Sequence, residues 1–234
     1  MRAHRVRALL MGGQACVFYG AAEFSRDTDL AILADVANLA RLRKALTELQ
    51  AETIAVPPLH LKYLRQGHAI HFRCQHPEAW RMRVDVMSKM RGVAAFAQLW
   101  KRRTTLELPG GIRCDLLALP DLVQAKKTQR DKDWPMIRRL VEAHYFQHRK
   151  RPNPSQVKFW LRELRTPELL TDVARANAAQ CRRMVVVMPL LAHATTDAAA
   201  VERALSAEET AERERDRIYW LPLRRKLEEL RHAG

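Results

Sequence analysis

Met11-Gly12-Gly13-Gln14-Ala15-Cys16-Val17-Phe18-Tyr19-Gly20 leads, five residues later, into Ser25-Arg26-Asp27-Thr28-Asp29-Leu30-Ala31-Ile32-Leu33. Two glycines close one apolar run and two aspartates open the next. Val6 to Met11 reads as a short buried strand, Gln14 to Tyr19 as a short helix, and Asp29 to Leu33 as a second strand. Residues i and i+2 of a strand share a face, so Asp27 and Asp29 stand side by side. Paired carboxylates repel, which is a poor arrangement for stability alone. A divalent cation between them removes the conflict. Hard oxygen ligands suit Mg²⁺ or Mn²⁺, and Mg²⁺ usually takes one or two protein carboxylates plus phosphates and waters. Read singly, Asp27 caps a turn and Asp29 starts a strand, and an Asp-x-Asp alone is a weak signal.

Working outward, Asp35 is a credible N-cap. It precedes a helix in which Val36, Leu39, Leu42, Leu46 and Leu49 recur at helical spacing. Alternation marks strands at Ile70-Phe72-Cys74 and at Met82-Val84-Val86, with a third over residues 53–56 before Pro57-Pro58. Asp85 lies mid-strand, opposite Val84 and Val86. It is the candidate third carboxylate of the metal site with Asp27 and Asp29, and a candidate general base as well. Two cations roughly 3.5–4 Å apart on such a set would activate an attacking oxygen and stabilise a leaving pyrophosphate. The plainer alternative leaves Asp85 facing solvent opposite Arg83. Residues 105–108 and 112–116 flank Pro109-Gly110-Gly111 as a hairpin. Gly12 and Gly13, before a short helix, let backbone amides approach a phosphate, with Ser25 as a further phosphate contact. They serve a tight turn equally well.

After Leu119 the pattern turns helical. Helices are expected from Pro120 and from Trp134 to Tyr145. Thr166-Pro167 opens a later one, and Ser206-Ala207-Glu208-Glu209 has a capping-box pattern. The expected organisation is an α/β catalytic domain over residues 1–148, a basic Pro-containing linker over 149–155, and a helical domain over 156–234. In the stretch from Leu119 to Trp134, Lys126, Lys127 and Arg130 put cations on adjacent turns of one helix. There they would hold a triphosphate and offset charge on its leaving group, with Lys126 also assisting catalysis. Asp133 would orient a lysine or contact the acceptor. A solvated basic helix is the competing reading.

The order strand, Gly-Gly, short helix, Ser-x-Asp-x-Asp, strand and later strand Asp resembles the nucleotidyltransferase superfamily with the DNA-polymerase-beta-type fold. Gly12-Gly13…Ser25-x-Asp27-x-Asp29, together with Leu119-Pro120-Asp121-Leu122-Val123-Gln124-Ala125-Lys126-Lys127-Thr128-Gln129-Arg130-Asp131-Lys132-Asp133-Trp134, narrows it. These blocks are similar to those of small bacterial nucleotidyltransferase-like proteins of toxin–antitoxin and abortive-infection systems. The resemblance spans about residues 5 to 145. It implies a mixed sheet with flanking helices and Mg²⁺-dependent transfer of a nucleotide from an NTP, with an antitoxin as a candidate partner. It departs from the pattern in a leading helix expected to be missing or minimal, in the Tyr19–Phe24 loop, and in the helical half.

Charge narrows the acceptor. Lys plus Arg number 41 against 26 Asp plus Glu, a formal charge of +15 in 234 residues. That excess points to a polyanion (RNA, DNA, nucleotides or an acidic membrane surface), with an inert basic surface as the plainer alternative; RNA, most plausibly tRNA, is favoured as acceptor, bound in part by Arg149, Lys150 and Arg151. An antibiotic-modifying enzyme, whose acceptor is cationic, would need an acidic cleft and fits less well. An inactive nucleic-acid-binding or regulatory protein on the same fold is the other alternative, although decay tends to remove carboxylates. The four cysteines form no C-x-x-C pair, so neither a zinc site nor a disulfide framework is expected. The basic start is followed by only four apolar residues before Gly12, so signal cleavage is not expected. No apolar run approaches the roughly 18 residues of a membrane span, and a cytoplasmic protein without a membrane partner is the expectation.

Overall fold

Leu9, Leu10, Leu30 and Ile32 are buried, and the two apolar runs that contain them form adjacent strands. The computed structural model describes residues 1–232. β1 (Ala8–Met11) is followed by α1 (Gly12–Phe18) and β2 (Asp27–Ile32), which pairs antiparallel with β1. Then come α2 (Val36–Glu48), β3 (Ala51–Thr53), α3 (Leu61–Gln66), β4 (Ile70–Cys74) and β5 (Arg83–Met87). α4 (Phe96–Arg102), β6 (Thr104–Leu108), β7 (Ile112–Leu116) and α5 (Leu119–Lys126) complete this region. The strands form one mixed sheet in the order β3-β4-β5-β2-β1-β7-β6, with β2/β5 and β1/β7 parallel and the other pairs antiparallel. The fold is mixed α/β with a helical C-terminal region.

The local chemistry explains several boundaries. Asp35 caps α2, its Oδ1 accepting from Asn38 N at 2.6 Å, while Leu39, Leu42 and Leu46 turn inward. β3 sits upstream of the expected 53–56 strand. Its ladder with β4 runs from Ala51 to Thr53 and ends as Ile54 N donates to His71 O, ahead of Pro57-Pro58. Asp121 lies at the helix start expected from Pro120. It is buried and accepts from Nε and Nη2 of Arg102, at 2.6 and 2.5 Å, tying α5 to α4.

The remaining helices are α6 (Asp133–His148), α7 (Pro154–Glu163), α8 (Pro167–Ala176), α9 (Ala178–Met184) and α10 (Ala198–His232). By backbone contacts the chain forms two compact units. The first comprises Met1–Phe18, Ala22–Ala125 and residues 218–232; the second comprises Tyr19–Ala21 and Lys126–Arg217. Residues 149–153 therefore connect α6 to α7 inside the second unit, and 154–155 already belong to α7. Across that connection Trp160 Nε1 donates to His144 Nδ1 at 2.9 Å, and both prolines sit at the turn and the start of α7.

Two capping expectations change. Thr166 precedes Pro167 at the start of α8, but its hydroxyl bonds the Glu142 carboxylate instead of capping the helix. Ser206 to Glu209 lie inside α10, not at its start. Asp197 caps upstream by accepting from Ala200 N at 2.9 Å, and buried Val201 and Leu205 anchor the turns between. Among the described residues no helix is long and apolar enough to cross a membrane.

Candidate active site

The strand register assembles the acidic set. β2 and β5 run parallel, with Asp29 directly beside Asp85 and Asp27 beside Arg83. Paired residues share a face, so Asp27, Asp29 and Asp85 project from the same side of the sheet. The intervening Leu30, Val84 and Val86 fill the buried opposite side. β4 adds His71 next to Asp85.

The glycines are fitted to these carboxylates. Gly12 has φ +66°, and a Cβ there would lie 2.5 Å from Asp29 Cγ and 2.7 Å from Asp29 Cβ, with a carboxylate oxygen closer still. A Cβ on Gly13 would meet the Ser25 side chain, 2.9 Å from its Cβ. The Gly-Gly step thus lets the start of α1 lie directly against Asp29 and Ser25. Gln14 fixes the same turn by donating from Nε2 to Thr28 Oγ1 at 3.0 Å.

Asp85 carries partners of its own. Arg83 Nε lies 2.9 Å from its Oδ1, and His71 Nδ1 reaches the same oxygen at 2.9 Å. His71 Nδ1 also lies 3.2 Å from Arg83 Nη2. One nitrogen cannot both donate to Asp85 and accept from Arg83, and donation to the carboxylate is the stronger choice. Burial opposes ionisation of Asp85, but the His71 and Arg83 hydrogen bonds outweigh it and hold the carboxyl below the usual carboxylate range. The sequence alternative that sets Arg83 opposite Asp85 is corrected, since both share one face, and nothing local points to His71. A signal for Arg83 existed, because Arg-x-Asp on a strand obeys the same i, i+2 rule as Asp-x-Asp. His71 needed the β4–β5 register.

The residues present fit a Mg²⁺ ion in one respect. Asp27 is exposed, Asp29 is half-buried beside it, and the two supply the one or two carboxylates such an ion takes. Among the described residues no three His, Cys, Asp or Glu side chains are gathered as a metal cage, and Asp85 is the member engaged elsewhere.

The basic set is arranged differently from expectation. α5 ends at Lys126, so Lys127 and Arg130 lie beyond it in the connection to α6, not on adjacent turns of one helix. Buried Asp133 organises this connection. It accepts from Lys126 Nζ at 2.9 Å, from Thr128 Oγ1 at 2.5 Å and from Arg130 Nε at 2.7 Å. Burial would raise its pKa, but Lys126, Thr128 and Arg130 together hold it low. With a side chain only 1% exposed, Asp133 positions Lys126 and Arg130 and offers no surface to an acceptor. Lys127 is corrected most sharply. Its side chain is 6% exposed and pairs with Glu163, 2% exposed, at 2.8 Å, which makes it a structural ion pair of the second unit. Arg149, Lys150 and Arg151 are exposed, with the Arg149 guanidinium 5.1 Å over the Phe146 ring.

No protein-family model matches the chain, and no curated protein matches it significantly. Among solved structures, that of a candidate nucleotidyltransferase from H. pylori covers 92% of this chain and 89% of its own, at 11% identity and a TM-score of 0.38. At that TM-score the likeness is too loose to argue from.

Proposed function

We propose that this chain is a nucleotidyltransferase that moves a nucleotide from an NTP to RNA. One observation carries the reading. Asp29 is seated against Gly12 at the start of α1, beside Asp27 on its own strand and Asp85 on the next. Stability alone does not call for three carboxylates on one face, with a glycine cut away to admit one of them.

Asp27 and Asp29 would hold Mg²⁺, which when bound supplies positive charge against the α-phosphate and the leaving pyrophosphate. The chain's own residues do the rest. The Gly12-Gly13 backbone and Ser25 approach the phosphates. Asp85 takes the proton of the attacking hydroxyl. The acceptor oxygen forms a bond to the α-phosphorus as the bond to the β-phosphate oxygen breaks, and pyrophosphate leaves with its electron pair. RNA as acceptor is supported by the +15 charge and the exposed Arg149-Lys150-Arg151 cluster. A toxin role and an antitoxin partner rest on the resemblance alone.

The engagement of Asp85 by Arg83 favours one competing reading, an RNA-binding protein without catalysis on the same fold. Incubation with each labelled NTP, Mg²⁺ and total RNA separates the two. Label appearing in RNA, and lost in Asp29→Ala, supports transfer. Salt-sensitive RNA binding with no incorporation from any NTP supports the competitor. Replacing Arg149, Lys150 and Arg151 by Ala should raise KM for RNA, leave KM for the nucleotide unchanged, and flatten the salt dependence of RNA binding. An unchanged salt slope would remove the cluster from the interface.

A further inference from the structure

Arg83 shares a sheet face with the three carboxylates and already bonds one of them. Its register partner is Asp27, its Nε bonds Asp85, and Asp29 lies beside Asp85, so the guanidinium holds one carboxylate directly on the sheet face that carries all three. The hydrogen bond to Asp85, and then the charges of Asp85, Asp27 and Asp29, raise the Arg83 pKa and strengthen its hold as a cation. The two partners differ in freedom. The Arg83 side chain is 40% exposed and can swing to solvent, whereas that of Asp85 is 16% exposed and His71 holds it from the neighbouring strand.

We infer that Arg83 is the built-in counter-ion of the carboxylate set, and that a divalent cation entering at Asp27 and Asp29 must displace its guanidinium before Asp85 can act on a substrate. His71 is the positioning residue that keeps Asp85 aimed while Arg83 leaves. The inference rests on the proposed use of Asp27 and Asp29 as metal ligands. It adds a competition, because the protein's own cation sets the affinity for the metal. An arginine suits this task. It keeps its charge at every physiological pH, and its long stem lets the head move while the backbone stays in the ladder.

The test is binding of Mn²⁺ to the full-length protein, followed by electron paramagnetic resonance at fixed ionic strength. A like charge within about 4–6 Å opposes another cation by roughly one decade or more. Arg83→Gln should therefore bind Mn²⁺ about tenfold more tightly than wild type, and its metal-free form should melt lower and recover on metal addition. Arg83→Lys should bind with intermediate affinity. Unchanged or weaker binding by Arg83→Gln overturns the inference.

Should Arg83→Gln not fold, the wild-type protein still decides. The Arg83 Nε–H resonance should shift and exchange faster with water as Mg²⁺ saturates the site, and a resonance unmoved at saturation overturns the inference. Asp29→Asn separates the two levels of argument. If it abolishes Mn²⁺ binding while Arg83→Gln does not tighten it, Arg83 alone loses its role. If it leaves Mn²⁺ binding intact, the carboxylate pair is not the metal site, and the functional reading and this inference fall together.

Discussion

Gly12→Ala is the substitution that most directly interrogates how the site is built. Gly12 has φ +66°, a left-handed conformation that costs an L-residue roughly 1–2 kcal/mol. The new Cβ would also meet Asp29, 2.5 Å from its Cγ and 2.7 Å from its Cβ. Rotating the carboxylate cannot clear that overlap, because the Asp29 Cβ is itself too close. The start of α1 or the end of β2 must therefore move. Forcing extra volume into a packed site costs roughly 1–3 kcal/mol, so the total is about 2–5 kcal/mol. At about 2–4 °C per kcal/mol for a chain of this size, the melting temperature should fall by about 4–20 °C. Gly110→Ala is the control. Gly110 has φ +81° with nothing within 4 Å of an added Cβ, so only the backbone strain applies. Thermal unfolding of the two variants isolates the Asp29 contact as the difference between them, and Mn²⁺ affinity should drop in Gly12→Ala only. If Gly12→Ala melts no lower than Gly110→Ala, Asp29 is not seated against the glycine and the site geometry argued above is wrong.

Other consequences are equally direct. Asp29→Ala should abolish nucleotide transfer without lowering the melting temperature of the metal-free protein by more than about 2 °C, since it removes one of two crowded carboxylates; a larger fall with transfer retained would make Asp29 structural. Glu163→Gln removes the buried carboxylate that pairs with both Lys127 and Arg165, and should cost about 3–5 kcal/mol in urea unfolding; a loss below about 1 kcal/mol would mean the cluster is solvated. His144 has its pKa lowered to about 4, first by burial and then by His148. The unfolded chain therefore takes up this proton first. The stabilisation is complete above about pH 6.5 and is lost as pH falls toward 4, at no more than about 1.4 kcal/mol per pH unit. His144→Gln keeps an acceptor for Trp160 Nε1 and should flatten unfolding free energy between pH 6.5 and 5; persistence of the wild-type slope would place its source elsewhere.

What could be read in advance divides along a physical line. Chemistry set by neighbours in the chain was legible. The Gly-Gly step, the Asp-x-Asp face, the Asp35 cap and the alternating strand around Asp85 each follow from periods of two or 3.6 residues. Local patterns misled where a second local solution fitted equally well. Ser206 to Glu209 reads as a helix start, yet Asp197 caps nine residues earlier and buried Val201 and Leu205 carry the helix through. The basic, proline-containing 149–155 stretch reads as a linker, yet His144 and Trp160 bond across it.

Least legible was the identity of each charge's partner. Lys127 in a basic run suggests a ligand-binding surface, but Glu163, 36 positions away in the sequence, claims it in the interior. Asp85 invites a metal, but parallel pairing with β2 sets it beside Asp29, and antiparallel pairing with β4 brings His71 to it. Net charge is a property of composition, whereas the charge available to a ligand is what remains after such pairs have formed. Of the cations first assigned to the triphosphate, Lys127 is consumed in the interior and Lys126 is held by Asp133. Arg130 shares Asp133, but its side chain is 56% exposed and keeps a face to solvent. A variant series on phosphate binding should therefore begin at Arg130. Arg130→Ala removes an exposed guanidinium and leaves Asp133 with Lys126 and Thr128, so nucleotide KM can be read without the loss of a buried pair. Lys127→Ala would strip Glu163 of a partner and confound binding with stability.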